Sequence, residues 1–580
     1  MTVASKPQWR LLWYGLATVL AVFTYFYGLD SEHIPKNGDE YPYEHITRLT
    51  AASGHWLPLQ SELPEMRNTK PPLLFWQGIA STNWGQRWTL WALRWPSVIY
   101  TLLTAGMALV LGWRLSGRVE TGLIALVTFL AFFSTYRYGR PFLTDAPSVF
   151  WLFFPVFAVL IWPLKVIDSR LGAPLLLGLT TGVGLLYKSF ALLLPVGLWI
   201  SWWYLRQRRY RVDTFLARDA GKLVLLCLVA LAIFSLWFVL DPNPRAIVNE
   251  FVFKENASKF NAPGGYLRNF FWGGSSVWRL VVSYPLNAGL LMFPLVALII
   301  VALRRRGELN DGEKLLWMWV ISLFVVFSLP SQRDERYLLP AMPALAVLCG
   351  LNWERLSRHA FTASLIVTGV GMVVLASLSL RLEEELPGVP LYSVGYWALV
   401  TATLVAVGVP LLVPRLARPC VNVAILLALV SFATFLRPFD GAPGTYSANV
   451  REFTQGRTVW VPINFAAKEE GHRFLLPGAD VRGYPDEPNV TVADLAARYP
   501  LFAVRVPMNA TNVASATVHD QGLDIATRHT SAQLLDMLRG NVFEHLFVKE
   551  LLVEAPHAPG LGTPDSGSGT QDPRLGLQVH

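Results

Sequence analysis

Two adjacent carboxylates, Asp39 and Glu40, sit ten residues beyond the end of the first apolar run, in Asn37-Gly38-Asp39-Glu40-Tyr41-Pro42-Tyr43-Glu44-His45-Ile46. Most of the chain is built to sit in lipid, so acids this close to a membrane surface need a reason. A general base must take a hydroxyl proton while the oxygen attacks an electrophilic carbon. Glycosyl transfer from a lipid phosphate puts that carbon at the same surface, with Asp39 and Glu40 as its catalytic acids. The ordinary structural alternative is that Asp39 caps the helix that follows, with Glu40 and Glu44 favouring its N-terminus. The two roles are compatible.

Other charged residues could serve the same reaction. Lys70 lies in Asn68-Thr69-Lys70-Pro71-Pro72-Leu73, where the prolines force an extended entry and then permit a helix start. It either binds a lipid phosphate or snorkels to the headgroups. Asp145, within Arg140-Pro141-Phe142-Leu143-Thr144-Asp145-Ala146-Pro147, opens an apolar run. It is a catalytic candidate, a helix cap, or simply a partner for Arg137 and Arg140. Lys188 separates two apolar runs, and an ionisable group so near lipid is a functional candidate by default; the alternative is a helix-end lysine reaching water. Arg333, Arg336 and Tyr337 fall in Ser331-Gln332-Arg333-Asp334-Glu335-Arg336-Tyr337-Leu338-Leu339-Pro340. Arginines at a helix start can grip a phosphate by charge-assisted bonds. Glu255 and Lys259, between Phe251 and Phe260, either line the same cavity or cover it amphipathically.

These residues need a membrane scaffold to hold them. Of 580 residues, 53% are hydrophobic and 15% charged, with mean hydropathy +0.39; soluble domains carry about 25% charged residues. The net charge of +9 sets orientation rather than nucleic-acid binding. Cys227, Cys349 and Cys420 have no metal or disulfide spacing and read as packing residues. At roughly 20 apolar residues per span, about thirteen spans are expected, at 11–29, 93–113, 121–135, 146–163, 172–187, 189–205, 222–240, 283–303, 315–330, 336–352, 360–380, 391–413 and 421–436. The first is read as an uncleaved helix rather than a signal peptide.

With the N-terminus inside, every expected inner loop is basic, including Arg114 and Arg118, Arg206 to Arg211, Arg304 to Arg306, and Arg415 with Arg418. An outer loop carries Glu383, Glu384 and Glu385 instead. The expected fold is a polytopic α-helical membrane protein. Residues 1–436 form the transmembrane part, with outer loops at 30–92 and 241–282; Glu44 to Ser53 and Leu73 to Asn83 read as short interfacial helices. Residues 437–555 form a small α/β domain outside, with strands near Thr458 to Ile463 and Leu501 to Val506. The tail 556–580 is expected to be disordered.

Asp39-Glu40 with Tyr43, Lys70-Pro71-Pro72, the stretch at Asp145, Gly182 to Lys188 and Arg336-Tyr337-Leu338-Leu339-Pro340 occur in that order on one expected face. Together they resemble the bacterial membrane glycosyltransferases of the GT-C superfamily related to protein O-mannosyltransferases, and among them the aminoarabinose transferases that modify lipid A. The resemblance implies a polyprenyl-phosphate sugar as donor and a metal-assisted or Arg/Lys-assisted transfer on the periplasmic face of an inner membrane. In the aminoarabinose transferases a Glu precedes the lysine of Lys-Pro-Pro and helps hold a metal; here that position is Thr69. Pro42 replaces an Arg of their first motif. A divalent metal therefore stays open, with His45, Glu44 and Glu40 as replacement ligands, and so does lipid A as acceptor.

The expected reaction has Asp39 as base on an acceptor hydroxyl of a lipid, polysaccharide or protein, with inversion at the sugar. Lys70, Arg333 and Arg336 stabilise the leaving phosphate, with Lys188 and Arg140 as further candidates, and Asp145 orients. The alternative is a transporter or flippase of a lipid-linked sugar. It fits less well, because the charges gather on one face and no inverted repeat is visible.

Overall fold

The computed structural model describes residues 8–36, 38–63, 66–261, 265–386, 390–440, 446–463, 467–485, 490–508, 516–526 and 529–556. Nearly all of the expected tail 556–580 lies outside the described residues.

A helix forms at each of the thirteen expected spans, but they differ in length. Among the described residues, seven helical stretches are long and apolar enough to cross a membrane unaided, or up to eight if a bent pair counts as one span. A count of about thirteen therefore does not follow from helix length. The shortfall has local causes. The expected third span breaks at Phe132, whose backbone is extended, into Val119–Ala131 and Phe133–Gly139, bent by 65°. The next two helices, Asp145–Ile161 and Gly172–Tyr187, have 17 and 16 residues. The expected span at 336–352 begins as a 3-10 turn, Glu335–Ala341, before the helix Met342–Asn352. These irregular stretches carry the charged residues singled out above.

Small residues bring helices close where no hydrophobic effect drives helix against helix in lipid. Gly178 and Gly182 sit one turn apart, and a Cβ at either would lie 2.7 Å from atoms of the helix Ala220–Leu240. At one end of the bundle the basic loop residues pair with the few acids there: Arg10 and Arg418 with Glu354, Arg10 with Glu120, and Arg206 with Asp311. The interfacial helices Glu40–Ala52 and Leu73–Ser81 form at the other end, close to where they are expected.

The C-terminal domain is a five-stranded sheet, β1 Thr458–Ile463, β2 Asp480–Pro485, β3 Leu501–Pro507, β4 Thr517–Ile525 and β5 Phe547–Glu554. The order is β2-β1-β3-β5-β4; the first three strands run parallel, and β5 is antiparallel to both β3 and β4. β1 and β3 fall where alternation of apolar residues places them. The domain docks on the first outer loop through charge. His33 presents Nδ1 to Asp440 at 2.7 Å and Nε2 to Asp524 at 3.2 Å. Nearby, His45 and Arg48 both bond Glu470, and Phe474 stacks on Trp88.

Burial lowers the His33 pKa, but Asp440 and Asp524 outweigh it and raise it to about 10. A raised folded-state pKa means the pair stabilises fully below the unfolded value near 6.5 and is lost as pH rises through about 10. Thermal unfolding of the wild type followed from pH 6 to pH 10 should show this loss, with Tm falling over that window. His33→Gln should lower Tm at pH 6 and flatten the dependence.

Candidate active site

The end of the bundle that carries the interfacial helices holds a cavity of about 910 Å³. Its polar wall includes Asp39, Lys70, Lys188, Glu255, Lys259 and Arg336, with Tyr337 beside them; its other wall is apolar, with Phe190, Leu193, Leu231, Val252 and Phe327. Each charged side chain reaches the cavity through a break in regular structure. Lys188 ends the helix Gly172–Tyr187, and the extended Ser189 starts a 3-10 turn, its hydroxyl accepting the Ala191 N–H. Arg336 sits in the 3-10 turn Glu335–Ala341, and Asp334 caps its backbone N–H. Glu255 lies near the end of a π-helix, Val248–Asn256; π-helices are rare and frequent at functional sites.

Arg336 organises the centre. Its Nη1 donates to Asp39 Oδ2 at 2.5 Å and its Nη2 to Asp145 Oδ2 at 2.7 Å. The other oxygen of Asp145 takes Lys188 Nζ at 2.6 Å. Beside this chain of charges, Lys70 and Lys259 both donate to Glu255 Oε1, at 2.7 and 3.0 Å. Burial raises the Glu255 pKa, but the two lysines hold it below the ordinary carboxylate value.

The two acids on Arg336 differ in access. The Asp145 side chain is 1% exposed and that of Asp39 44%. Asp39 makes no side-chain cap to the helix it precedes, and the helix Asp145–Ile161 begins at Asp145 with Thr144 as its cap residue. Neither acid is spent on capping, then. Only Asp39 faces a space that an acceptor can enter.

Three candidates stand elsewhere. Glu40 is fully buried away from the cavity: Arg94 holds it by two bonds of 2.8 Å, and its Oε1 accepts the Phe142 N–H at 2.6 Å. Burial raises its pKa, but Arg94 and Lys36 hold it down to about 2. It is a structural anchor next to Asp39 rather than a second base. Arg140 is buried and donates to the backbone carbonyls of Tyr25 and Tyr27 over the Tyr136 ring. Arg333 is 2% exposed, donates to the carbonyls of Ser328 and Ser275, and stacks on Phe270. Both arginines tether backbone at points where helices break, which is why the same residue type near the same face misleads. The sequence reading missed Asp334 in the cavity wall and Lys36, which bridges Glu32 and Glu40. Its signal was the Glu-Lys-Glu spacing of four at residues 32, 36 and 40.

Among the described residues, one group of three potential metal ligands converges: His45, Glu469 and Glu470, away from the cavity. Its donors are largely engaged. Glu470 is held by Arg48 and His45, and the second nitrogen of His45 accepts the Glu62 N–H. A dication there would have to displace Arg48, so the group does not fit a metal. At the Lys-Pro-Pro motif, Thr69 offers only a neutral hydroxyl, and Lys70 already neutralises the nearby Glu255.

Removing Glu40 leaves Arg94 buried without its counter-ion, which costs about 3–5 kcal/mol; removing the half-exposed Asp39 costs about 0–1 kcal/mol. In purified protein, Glu40→Gln should lower Tm or folded yield sharply, and Asp39→Asn should leave both near wild type.

The chain is similar to known membrane glycosyltransferases. The dolichyl-phosphate-mannose-protein mannosyltransferase family matches residues 16–246. The undecaprenyl phosphate-alpha-4-amino-4-deoxy-L-arabinose arabinosyl transferase 1 of Sodalis glossinidius is 28% identical over 428 residues, 68% of this chain and 70% of that protein. The corresponding transferase of Edwardsiella ictaluri is 28% identical over 60% of each chain. The crystal structure of ArnT from Cupriavidus metallidurans bound to undecaprenyl phosphate superposes with TM-score 0.56 at 17% identity, covering 93% of this chain and 98% of that one. The chain is therefore similar in sequence to undecaprenyl-phosphate aminoarabinose transferases, and it shares its fold with ArnT.

Proposed function

We propose that the chain transfers a sugar from an undecaprenyl-phosphate-linked donor to an acceptor hydroxyl at the periplasmic face of a bacterial inner membrane. The N-terminus is then cytoplasmic and the C-terminal domain periplasmic. The observation that carries the reading is Arg336 shared between an open carboxylate, Asp39, and a buried one, Asp145, at a cavity with one charged and one apolar wall. The apolar wall suits a prenyl tail, and the basic side chains suit its phosphate. The names of the related transferases support the donor class.

In this mechanism Asp39 takes the acceptor's hydroxyl proton as the oxygen attacks the anomeric carbon. The bond from that carbon to the phosphate oxygen breaks with inversion, and polyprenyl phosphate leaves. The donor phosphate is a diester with one negative charge; the product is a monoester and gains another. Cations that meet this growing charge act in the transition state more than in the ground state. Arg336, Lys70 and Lys188 supply them, and Asp145 holds Arg336 and Lys188 in place from its buried position. These cations supply the charge that neutralises the leaving phosphate.

Phosphate and Asp39 compete for one guanidinium. A phosphate that binds Arg336 takes that guanidinium from Asp39, so donor binding loosens the hold on the base. Competition of this kind is a reciprocal coupling of about 1–3 kcal/mol, 5- to 150-fold in affinity.

Asp39→Asn should therefore abolish transfer of labelled sugar from polyprenyl-phosphate donors while tightening undecaprenyl phosphate binding about 5-fold or more. Unchanged transfer in Asp39→Asn would remove Asp39 as base. Arg336→Ala should lower kcat by about 10²–10³, the cost typical of a lost charge-stabilising donor. Prolonged chelation followed by assay should leave the wild-type rate unchanged, with no stoichiometric metal in the purified protein by elemental analysis.

A further inference from the structure

In open sheets with parallel strands, ligands bind outside the carboxyl ends of the strands, where the strand order reverses. In the C-terminal domain that place lies beyond β1 and β3, which are neighbours although β2 comes between them in sequence. Arg505 near the end of β3, Asp524 near the end of β4 and Glu550 near the start of β5 all gather there. The space in front of them is filled by the chain's own first outer loop. His33 inserts between Asp524 and Asp440, and Asp440 also accepts the backbone N–H groups of Glu32 and His33. Gly471, in the helix after β1, meets the loop so closely that a Cβ there would lie 2.9 Å from Glu32 Oε1 and 3.1 Å from the Tyr41 ring.

From this contact, charge runs inward to the active site. Glu32 Oε1 takes Lys36 Nζ at 2.8 Å, and Lys36 reaches Glu40 Oε2 at 3.2 Å while lying over the Tyr41 ring at 4.1 Å. Glu40 is the residue after Asp39 and is locked on Arg94. Lys36 is 11% exposed and Glu32 5%, so neither pair is a screened surface contact. Lys36 therefore joins the anchor beside Asp39 to a part of the loop that the C-terminal domain holds at Glu32 and His33.

We propose that the C-terminal domain clamps the catalytic loop, that edge of its sheet being occupied by Glu32, His33 and Tyr41, and that Lys36 is the positioning residue that transmits the clamp to Asp39. The proposal rests on the reading of Asp39 as base. It gives the domain a task in the chemistry itself, independent of acceptor choice. Displacing a catalytic group by about 1 Å can cost 10²-fold in rate.

The test uses full-length protein in nanodiscs and three variants: Lys36→Met, Lys36→Arg and Gly471→Ala. Gly471→Ala removes no charge and lies in the C-terminal domain, yet it crowds both the Glu32 carboxylate that holds Lys36 and the Tyr41 ring beneath it. Lys36→Met and Gly471→Ala should lose about 10- to 100-fold in kcat with undecaprenyl phosphate Kd within about twofold of wild type. Lys36→Arg should recover most of the Lys36→Met loss. Hydrogen exchange across residues 38–48 should speed up in Lys36→Met and Gly471→Ala, a readout that does not depend on turnover. Unchanged kcat in both variants, or a Kd that weakens in step with kcat, overturns the clamp. Faster exchange in the variants when the wild type transfers no sugar from any polyprenyl-phosphate donor leaves the clamp standing and sinks the functional reading instead.

Discussion

The structure turns on one buried arginine holding two carboxylates. Arg336 is 14% exposed, and its counter-ions come from residues 39 and 145, which no local segment brings together. A guanidinium buried without partners costs several kcal/mol, so the fold must deliver at least the buried Asp145 to it. That requirement accounts for the broken helices around the cavity. The bend at Phe132, the stop at Lys188 and the 3-10 turn before Met342 are where straight spans give way so that charged side chains can meet at the membrane's outer edge. Irregular backbone at this depth is tolerated because it lines a cavity instead of facing lipid.

The division of labour between the two acids follows from burial. Asp145 is sealed and takes both Lys188 and Arg336, so it fixes the cations. Asp39 shares Arg336 but stays open to the cavity, so it can exchange its partner. A pair with one closed and one open member is stable at rest and still able to release a base. The same logic runs through Glu255, whose two lysines can be lent to an anion without leaving either buried alone.

Much of the site was legible because charge is costly in an apolar chain. Asp39, Lys70, Asp145, Lys188, Glu255, Lys259 and Arg336 stood out as ionisable groups beside lipid, and the structure gathers all seven. Arg140 and Arg333 looked the same in sequence, yet their guanidiniums satisfy backbone carbonyls left free where helices break. No pattern in one dimension separates an arginine serving carbonyls from one serving carboxylates. Glu40 was read as a second catalytic acid because its partner, Arg94, lies in an apolar run 54 residues later. The breaks within the expected spans were not readable, because hydropathy registers apolar length and not the points where a helix stops. β1 and β3 were readable from their alternation. The docking of the C-terminal domain was not, since His33 and Asp524 are 491 residues apart.

The most direct test of the account is a structure of this protein bound to undecaprenyl phosphate, solved in a lipid nanodisc. The account predicts the phosphate on Arg336, with Lys70 or Lys188 beside it. The Arg336–Asp145 bond should be kept, and Asp39 should have moved out of hydrogen-bond reach of the guanidinium into the cavity. A phosphate seated elsewhere, with Asp39 still bound to Arg336, would contradict it.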